Sequence, residues 1–349
     1  MGQEHLRNLF LIDGVDVTAI FEPDSIMRDE CRRLVSDSNF VETEEDVIRS
    51  ENVDALIITS PNYLHFDQLK KIVEIRKIPI LIEKPVCTSL EQLKDLKKIN
   101  NNYSSPIWVA MEYRYMPVIS KLLEIIRSQQ ILGKMISLNI REHRYPFLKK
   151  VGNWNRFNKK TGGTLVEKCC HFFDLMRLVI QSEPIKVYAS GSQDVNHLEE
   201  KYDGKTPDII DNAYVIVDFE NGVRGMLDLC MFAENSEYQE EIVAVGDIGK
   251  IETFVPSNAS GKDSSEVRIG LRKDNVNKSK EVKVDKDILA AGHHHGSTYF
   301  EHLAFINAIQ KNKKPDVSLR DGLMSVAIGE AAENSIVENR VVFMKEFNL

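Results

Sequence analysis

Asn52–Val86 reads NVDALIITSPNYLHFDQLKKIVEIRKIPILIEKPV. Val53–Ser60 is a near-continuous apolar run rich in β-branched residues, the kind of strand that a parallel sheet buries on both faces. Phe66–Arg76 spaces its apolar residues for one face of a helix, and Ile78–Ile82 is a second buried strand. Strand, helix and strand at this spacing form a βαβ unit with a right-handed crossover. The pattern extends both ways. Upstream, Leu6, Leu9 and Phe10 share a helical face, Val17–Phe21 reads as a strand closed by Glu22-Pro23-Asp24, and Ile26–Ser36 reads as a helix. Downstream come a helix at Leu90–Asn100 and a strand at Ile107–Met111.

Beyond a helix at Met116–Gln129 the texture changes. Lys134–His143, Lys186–Gly191, Ala213–Phe219, Val223–Phe232, Glu240–Val245, Lys250–Phe254 and Val267–Arg272 read as successive strands, separated by turns such as Glu220-Asn221-Gly222. One helix, Gly163–Ile180, is set among them, and Ser297–Lys311 and Asp321–Asn339 close the chain. Asn258–Ser264 and Asp274–Lys280 read as polar loops. The expected fold is α/β: an N-terminal parallel sheet, then an α+β domain whose open sheet is mostly antiparallel.

Composition narrows the function. A chain of 349 residues suggests about two domains. A net charge of −8 without a basic block argues against a nucleic-acid surface, which needs clustered cations to neutralise phosphates. No apolar run is long enough to span a membrane. Five cysteines without framework spacing, and no signal-peptide or myristoylation pattern at the N-terminus, point to the reducing cytoplasm.

Three stretches carry chemistry. Ser60-Pro61-Asn62-Tyr63-Leu64-His65 follows a buried strand, where open α/β sheets bind ligands; its bland alternative is a helix cap by Ser60 or Asn62. Glu83-Lys84-Pro85 ends the next strand, and a lysine leaving a strand into a crevice can act as acid or base. In Gly162–Asp174, Glu167 and His171 are spaced to share a helix face, as are His171 and Asp174, so that a carboxylate can orient the imidazole. Zinc would need further ligands that the spacing does not supply, so no metal is expected. Cys169 and Cys170 read as small buried hydrophobes. His293-His294-His295 reads as a loop before Ser297 as helix N-cap, with one histidine a candidate substrate contact.

Pro-Asn-x-x-His, Glu-Lys-Pro and Gly-Gly…Glu-x-x-x-His-x-x-Asp, in that order, resemble the Gfo/Idh/MocA oxidoreductases. Met111–Pro117 resembles that family's segment between domains, and Gly296–His302 also matches. The resemblance implies a Rossmann-like NAD(P)-binding domain over residues 1–112 and a substrate-binding and oligomerisation domain over 113–349. It implies Lys84 as catalytic lysine, His171 as active-site histidine and Glu167 in the place of the family's usual Asp. Gly2, Glu22, Ser60, Pro61, Asn62, His65, Glu83 and Lys84 would line the cofactor. Arg114, Trp154, Lys168 and Tyr299 would face a sugar or polyol, and the second sheet would make a dimer or tetramer. The implied reaction is reversible hydride transfer between a secondary alcohol and the nicotinamide.

The family opens with a strand feeding Gly-x-Gly-x-x-Gly, whose backbone approaches the pyrophosphate. Gly2 matches the third glycine; the first strand and first two glycines have no counterpart here. The expected consequence is that Val17–Phe21 and Val53–Thr59 lack the strand that would lie between them. Glu22 still matches the acid that binds the ribose 2′-hydroxyl, which favours NAD over NADP. Two other functions follow from the same residues: a truncated, cofactor-free binding or scaffold protein, and an NAD-dependent glycosidase of this fold.

Overall fold

A computed structural model describes residues 1–35, 39–129, 131–273 and 277–349. Ser36, at the end of one expected helix, and the first three residues of the expected loop Asp274–Lys280 lie outside them. The chain divides into two compact units. Unit 1 comprises Met1–Cys87, Glu91–Met116 and Val284–Leu323; unit 2 comprises Thr88–Leu90, Pro117–Lys283 and Met324–Leu349. Residues 284–323, placed by the sequence division in the second domain, pack with the first.

Unit 1 opens with α1 (Gly2–Leu9), β1 (Ala19–Ile20), α2 (Ser25–Leu34), β2 (Asn39–Phe40) and α3 (Glu44–Arg49). It continues with β3 (Leu56–Ile58), α4 (Asn62–Ile75), β4 (Ile80–Glu83), α5 (Leu90–Asn102) and β5 (Ile107–Ala110). All strand pairs here are parallel, as the βαβ pattern requires, but they form two sheets, β1–β2 and β3–β4–β5. Among the described residues no strand joins β1 to β3. Without a neighbour on that side, the expected strand at Val17–Phe21 shrinks to two residues. Leu6, Cys31 and Val35 pack with Val17, Ile20 and Phe40 beneath the small sheet, whereas Phe10 points to solvent. Ile80–Ile82 and Trp108–Val109 are wholly enclosed; β4 is the central strand of its sheet, and β5, though an edge strand, is buried on both faces.

Unit 2 carries α6 (Pro117–Gln129), β6 (Met135–His143), α7 (Asn158–Thr161), α8 (Thr164–Glu167), α9 (Cys170–Ile180), β7 (Pro184–Ser192) and β8 (Asn212–Phe219). It goes on through β9 (Arg224–Cys230), β10 (Tyr238–Gly246), β11 (Gly249–Pro256), β12 (Ser265–Leu271) and β13 (Asn277–Val282). The chain then forms α10 (Lys286–Ala291), α11 (Ser297–Gln310), α12 (Leu319–Glu338) and β14 (Val342–Phe343). The nine-stranded sheet runs β13-β12-β11-β10-β6-β9-β8-β7-β14 and is antiparallel except for the β6–β9 pair. Leu138, Ile140, Val215, Val217, Leu227 and Ile242 alternate onto its buried face. On the other face Tyr188, Ile216 and Met226 sit opposite one another across β7, β8 and β9 and are exposed.

Two local expectations are corrected. The helix read as Gly163–Ile180 is two helices, α8 and α9, broken at Lys168–Cys169, so Glu167 and His171 do not share one continuous helical face. Part of the loop expected at Asp274–Lys280 belongs to β13, an edge strand whose Lys278 and Lys280 keep it polar. Among the described residues, no helix is long and apolar enough to cross a membrane.

Candidate active site

The parallel strands of unit 1 end in the loops that the sequence singled out. After β3, Pro61 rather than Ser60 or Asn62 is the N-cap of α4, and it offers no side-chain hydrogen bond. Ser60 Oγ instead donates to Gln68 Oε1 at 2.6 Å. The Asn62 amide is buried, and its Nδ2 has no partner among the described residues. His65 lies between two carbonyls, with Nδ1 2.7 Å from Pro85 O and Nε2 2.8 Å from Ser60 O. Burial pushes its imidazole below its usual range, against the pull of those carbonyls towards protonation. The ring therefore ties the loop after β3 to the loop after β4.

Lys84 leaves β4 half-buried, beside Glu83, which is enclosed. Burial of Glu83 works against its charge, but the His5 hydrogen bond, with the Lys84 charge beside it, holds its carboxyl below the usual range. Glu112, just beyond β5, shows the opposite balance: burial and the neighbouring Glu83 charge push its carboxyl up to about 8, against the pull of Lys84. Glu301 on α11 is likewise raised by burial and by Glu112, and its Oε1 accepts Trp108 Nε1–H at 3.2 Å. Glu83, Glu112 and Glu301 are thus three buried carboxyls that act on one another, and the close His5 partner keeps Glu83 ionised while burial and its charge push the other two up. A cluster of like charges settles in this way, with one group ionised and its neighbours keeping their protons.

The first turn of α1 is clamped from two sides. Glu4 Oε1 accepts from Thr298 Oγ1 at 3.1 Å and from the His293 backbone N–H, and it lies 3.3 Å from His294 Nδ1. Burial opposes the Glu4 charge, yet the hydrogen bond and charge of His294 outweigh it and hold the carboxyl at about 2. Of the adjacent histidines, His294 reaches Glu4 with its side chain and His293 with its backbone N–H; the N-cap of α11 is Gly296, with Ser297 one residue inside.

Arg114 donates from Nη1 to Asp316 O at 2.9 Å, and its Nη2 lies 3.6 Å from Asp321 Oδ1. Tyr299 is half-buried on α11, edge-on to Phe300.

Two features of unit 1 fit a dinucleotide. Gly2 sits so close to the end of β3 that a Cβ there would come 3.1 Å from Thr59 Oγ1, which leaves the backbone as the helix's exposed edge. The orphaned Asn62 amide gives a buried donor at the carboxyl end of the same strand. Glu22 follows β1 half-buried; burial raises its carboxyl, and its Oε1 accepts the Asp24 backbone N–H at 2.9 Å.

In unit 2, Gly162 and Gly163 have φ of 83° and 93°, which only glycine adopts readily. A Cβ on Gly163 would strike Glu333 Oε1, the atom that accepts the Leu165 backbone N–H at 2.9 Å and caps α8 from α12. Glu167 then ends α8, and His171 lies in the first turn of α9; both are buried. Lys168, between them, points its Nζ to Glu142 Oε1 at 2.9 Å. Glu142 also lies 3.3 Å from Arg144 Nη1, and Glu240 faces it across the β6–β10 pair. Burial and the Glu142 charge push the Glu240 carboxyl up. Trp154 is buried in the 3₁₀ segment Val151–Arg156.

Sequence reasoning missed His5, His302, Glu4, Glu112, Glu301, Glu142 and Glu240. A signal existed for Glu142 and Glu240: each occupies an inward position of its strand, in phase with Leu138 and Ile140 or with Ile242 and Ala244. A charge where the alternation calls for an apolar residue marks a buried polar network.

A parallel sheet with ligand loops at its carboxyl ends, followed by a large open sheet, defines a two-part α/β oxidoreductase. Residues 1–111 match the oxidoreductase family's NAD-binding Rossmann fold, and residues 127–344 match its C-terminal alpha/beta domain. The chain belongs to this Gfo/Idh/MocA family of enzymes. It is 24% identical to the myo-inositol 2-dehydrogenase of Thermotoga maritima, over 99% of this chain and 96% of that protein. Against the scyllo-inositol 2-dehydrogenase (NAD(+)) of Bacillus subtilis the identity is 23%, over 96% and 91%. A levoglucosan dehydrogenase solved with NADH and levoglucosan shares the fold with a TM-score of 0.82 at 18% identity, covering 99% of this chain and 96% of that one.

Proposed function

We propose that this enzyme is an NAD-dependent dehydrogenase of a sugar or polyol, transferring hydride between a secondary alcohol carbon and the nicotinamide. The observation that carries the proposal is Lys84, at the carboxyl end of an enclosed strand and flanked by the ionised Glu83. The named inositol dehydrogenases among its relatives support an inositol-like substrate. Bound NAD would supply the hydride acceptor; binding, orientation and proton handling fall to the chain.

In this reading the backbone at Gly2 and the amide of Asn62 face the dinucleotide, and Glu22 takes the ribose hydroxyl. A carboxylate at that point repels a 2′-phosphate, so NAD is preferred to NADP. Lys84 or His171 removes the hydroxyl proton, and Lys84 as an ammonium stabilises alkoxide charge as it develops. Glu167 orients His171. Arg114, Trp154, Lys168 and Tyr299 contact substrate, with Lys168 steadied by Glu142.

The test is a panel of inositols and aldoses assayed for NAD reduction, with Lys84→Ala beside the wild type. Turnover should vanish in Lys84→Ala while NADH affinity changes less than about threefold, the pattern of an interaction made only in the transition state. Retained turnover would remove Lys84 from the mechanism. The exposed row Tyr188, Ile216 and Met226 further supports a homo-oligomer through the open sheet, which light scattering would contradict by returning a monomer mass.

A further inference from the structure

His5 sits in the middle of a buried chain of hydrogen bonds. Its Nε2 is 2.8 Å from Glu83 Oε1, and its Nδ1 is 2.7 Å from His302 Nε2. The two imidazoles stack with centroids 4.9 Å apart, and the other carboxylate oxygen, Glu83 Oε2, accepts the Lys84 backbone N–H at 3.2 Å. Three elements meet here: α1 gives His5, the end of β4 gives Glu83, and α11 gives His302. All three side chains are enclosed.

Proton positions follow from the acceptors. An ionised carboxylate only accepts, so His5 Nε2 must carry a proton. In the neutral imidazole Nδ1 then accepts, and His302 Nε2 donates to it. That leaves His302 Nδ1 as a bare lone pair, and it has no partner among the described residues. Burial disfavours a second proton on His302.

Satisfying a buried carboxylate would explain His5 alone. It does not explain a second histidine behind the first, which adds no bond to Glu83. What His302 does add is a partner for His5 Nδ1, which holds the ring of His5 in place against Glu83. The other titratable groups facing this chain are Glu4 from α1, Lys84 beside Glu83, Glu112 beyond β5 and Glu301 from α11.

We propose that His302, His5 and Glu83 form a positioning relay for Lys84: His302 holds the ring of His5 through its Nδ1, and His5 holds a carboxylate charge at the root of the lysine. The relay also ties the lysine's strand end to the first turn of α1, the helix that begins at Gly2. It rests on the reading of Lys84 as a catalytic residue. His5 and His302 themselves are positioning residues.

The test uses NMR, so it does not depend on turnover. Long-range proton–nitrogen spectra of the wild type should show His5 protonated at Nε2 and bare at Nδ1; a proton on Nδ1 would overturn the relay without any variant. In His302→Leu, the His5 Nε2–H signal should shift and broaden as the ring loses its partner, and His302→Gln, whose amide can donate to Nδ1, should restore it. In Glu83→Gln, the Lys84 ammonium, assigned by loss of its signal in Lys84→Arg, should titrate about one pH unit lower, because a nearby negative charge has been removed. A purely structural clamp would lower stability in these variants and leave the His5 Nε2–H signal and the lysine titration in place, and that result overturns the proposal. Full turnover by Lys84→Ala would overturn the catalytic reading instead. Lost turnover in Lys84→Ala with an unmoved lysine titration in Glu83→Gln would overturn the relay alone.

Discussion

Glu333→Gln offers a perturbation whose size can be worked out beforehand. Glu333 Oε1 caps α8, the short helix that ends at Glu167, by accepting the Leu165 backbone N–H at 2.9 Å. Burial raises the carboxyl from 4.5 to about 7, with the Leu165 bond pulling the other way and Asp208 adding to the rise. A raised carboxyl holds its proton longer in the folded chain than in the unfolded one. Its stabilising contribution is therefore complete below pH 4.5 and is lost as pH climbs through 7. The gap is 7 − 4.5 = 2.5 units. At about 1.4 kcal/mol per unit, the loss above pH 7 saturates near 3 kcal/mol, of which about 2 kcal/mol falls between pH 5 and pH 8. Glutamine keeps the accepting oxygen and cannot ionise. Urea unfolding at pH 5, 6.5 and 8 should show the wild type losing about 2 kcal/mol more than Glu333→Gln across that range. Glu330, raised to about 7, and Glu112, raised to about 8, titrate in the same direction in both proteins, so the variant also declines, but less steeply. Parallel declines would refute the claim that Glu333 caps α8 largely as a neutral acid.

Gly163→Ala forces a side chain into a φ of 93° and its Cβ to within 2.3 Å of Glu333 Oε1, so it should destabilise the protein by about 2 kcal/mol or more, measured by the same unfolding assay. Glu22→Ser should narrow the preference for NADH over NADPH by about tenfold in fluorescence titrations, since it removes the charge that opposes a 2′-phosphate. An unchanged ratio would take Glu22 out of cofactor recognition.

The parallel half of the fold was legible because β3 and β4 are nearly pure apolar runs, and few other structures bury such a run on both faces. Hydrophobic patterning was blind to the break at Lys168–Cys169, because Leu165, Val166, Cys169, Cys170, Phe172 and Phe173 are all enclosed and apolar on both sides of it. β13 escaped notice for the opposite reason: Asn277–Val282 is almost entirely polar and exists by pairing with β12. The site was legible where residues stand in short motifs, as with Lys84 and His171. His5 and Glu83 are 78 residues apart, and His302 is 297 residues from His5; only the fold brings them together. Buried charges such as Glu112 and Glu301 carry no local mark, since their environment comes from elements far along the chain.

The central claim is that this chain handles a nicotinamide dinucleotide through its first unit. Titrating the folded protein with NADH, and following energy transfer from tryptophan to the reduced nicotinamide, tests it most directly. The account predicts saturable binding, tighter for NADH than for NADPH. Folded protein that shows no saturable binding of either would contradict it.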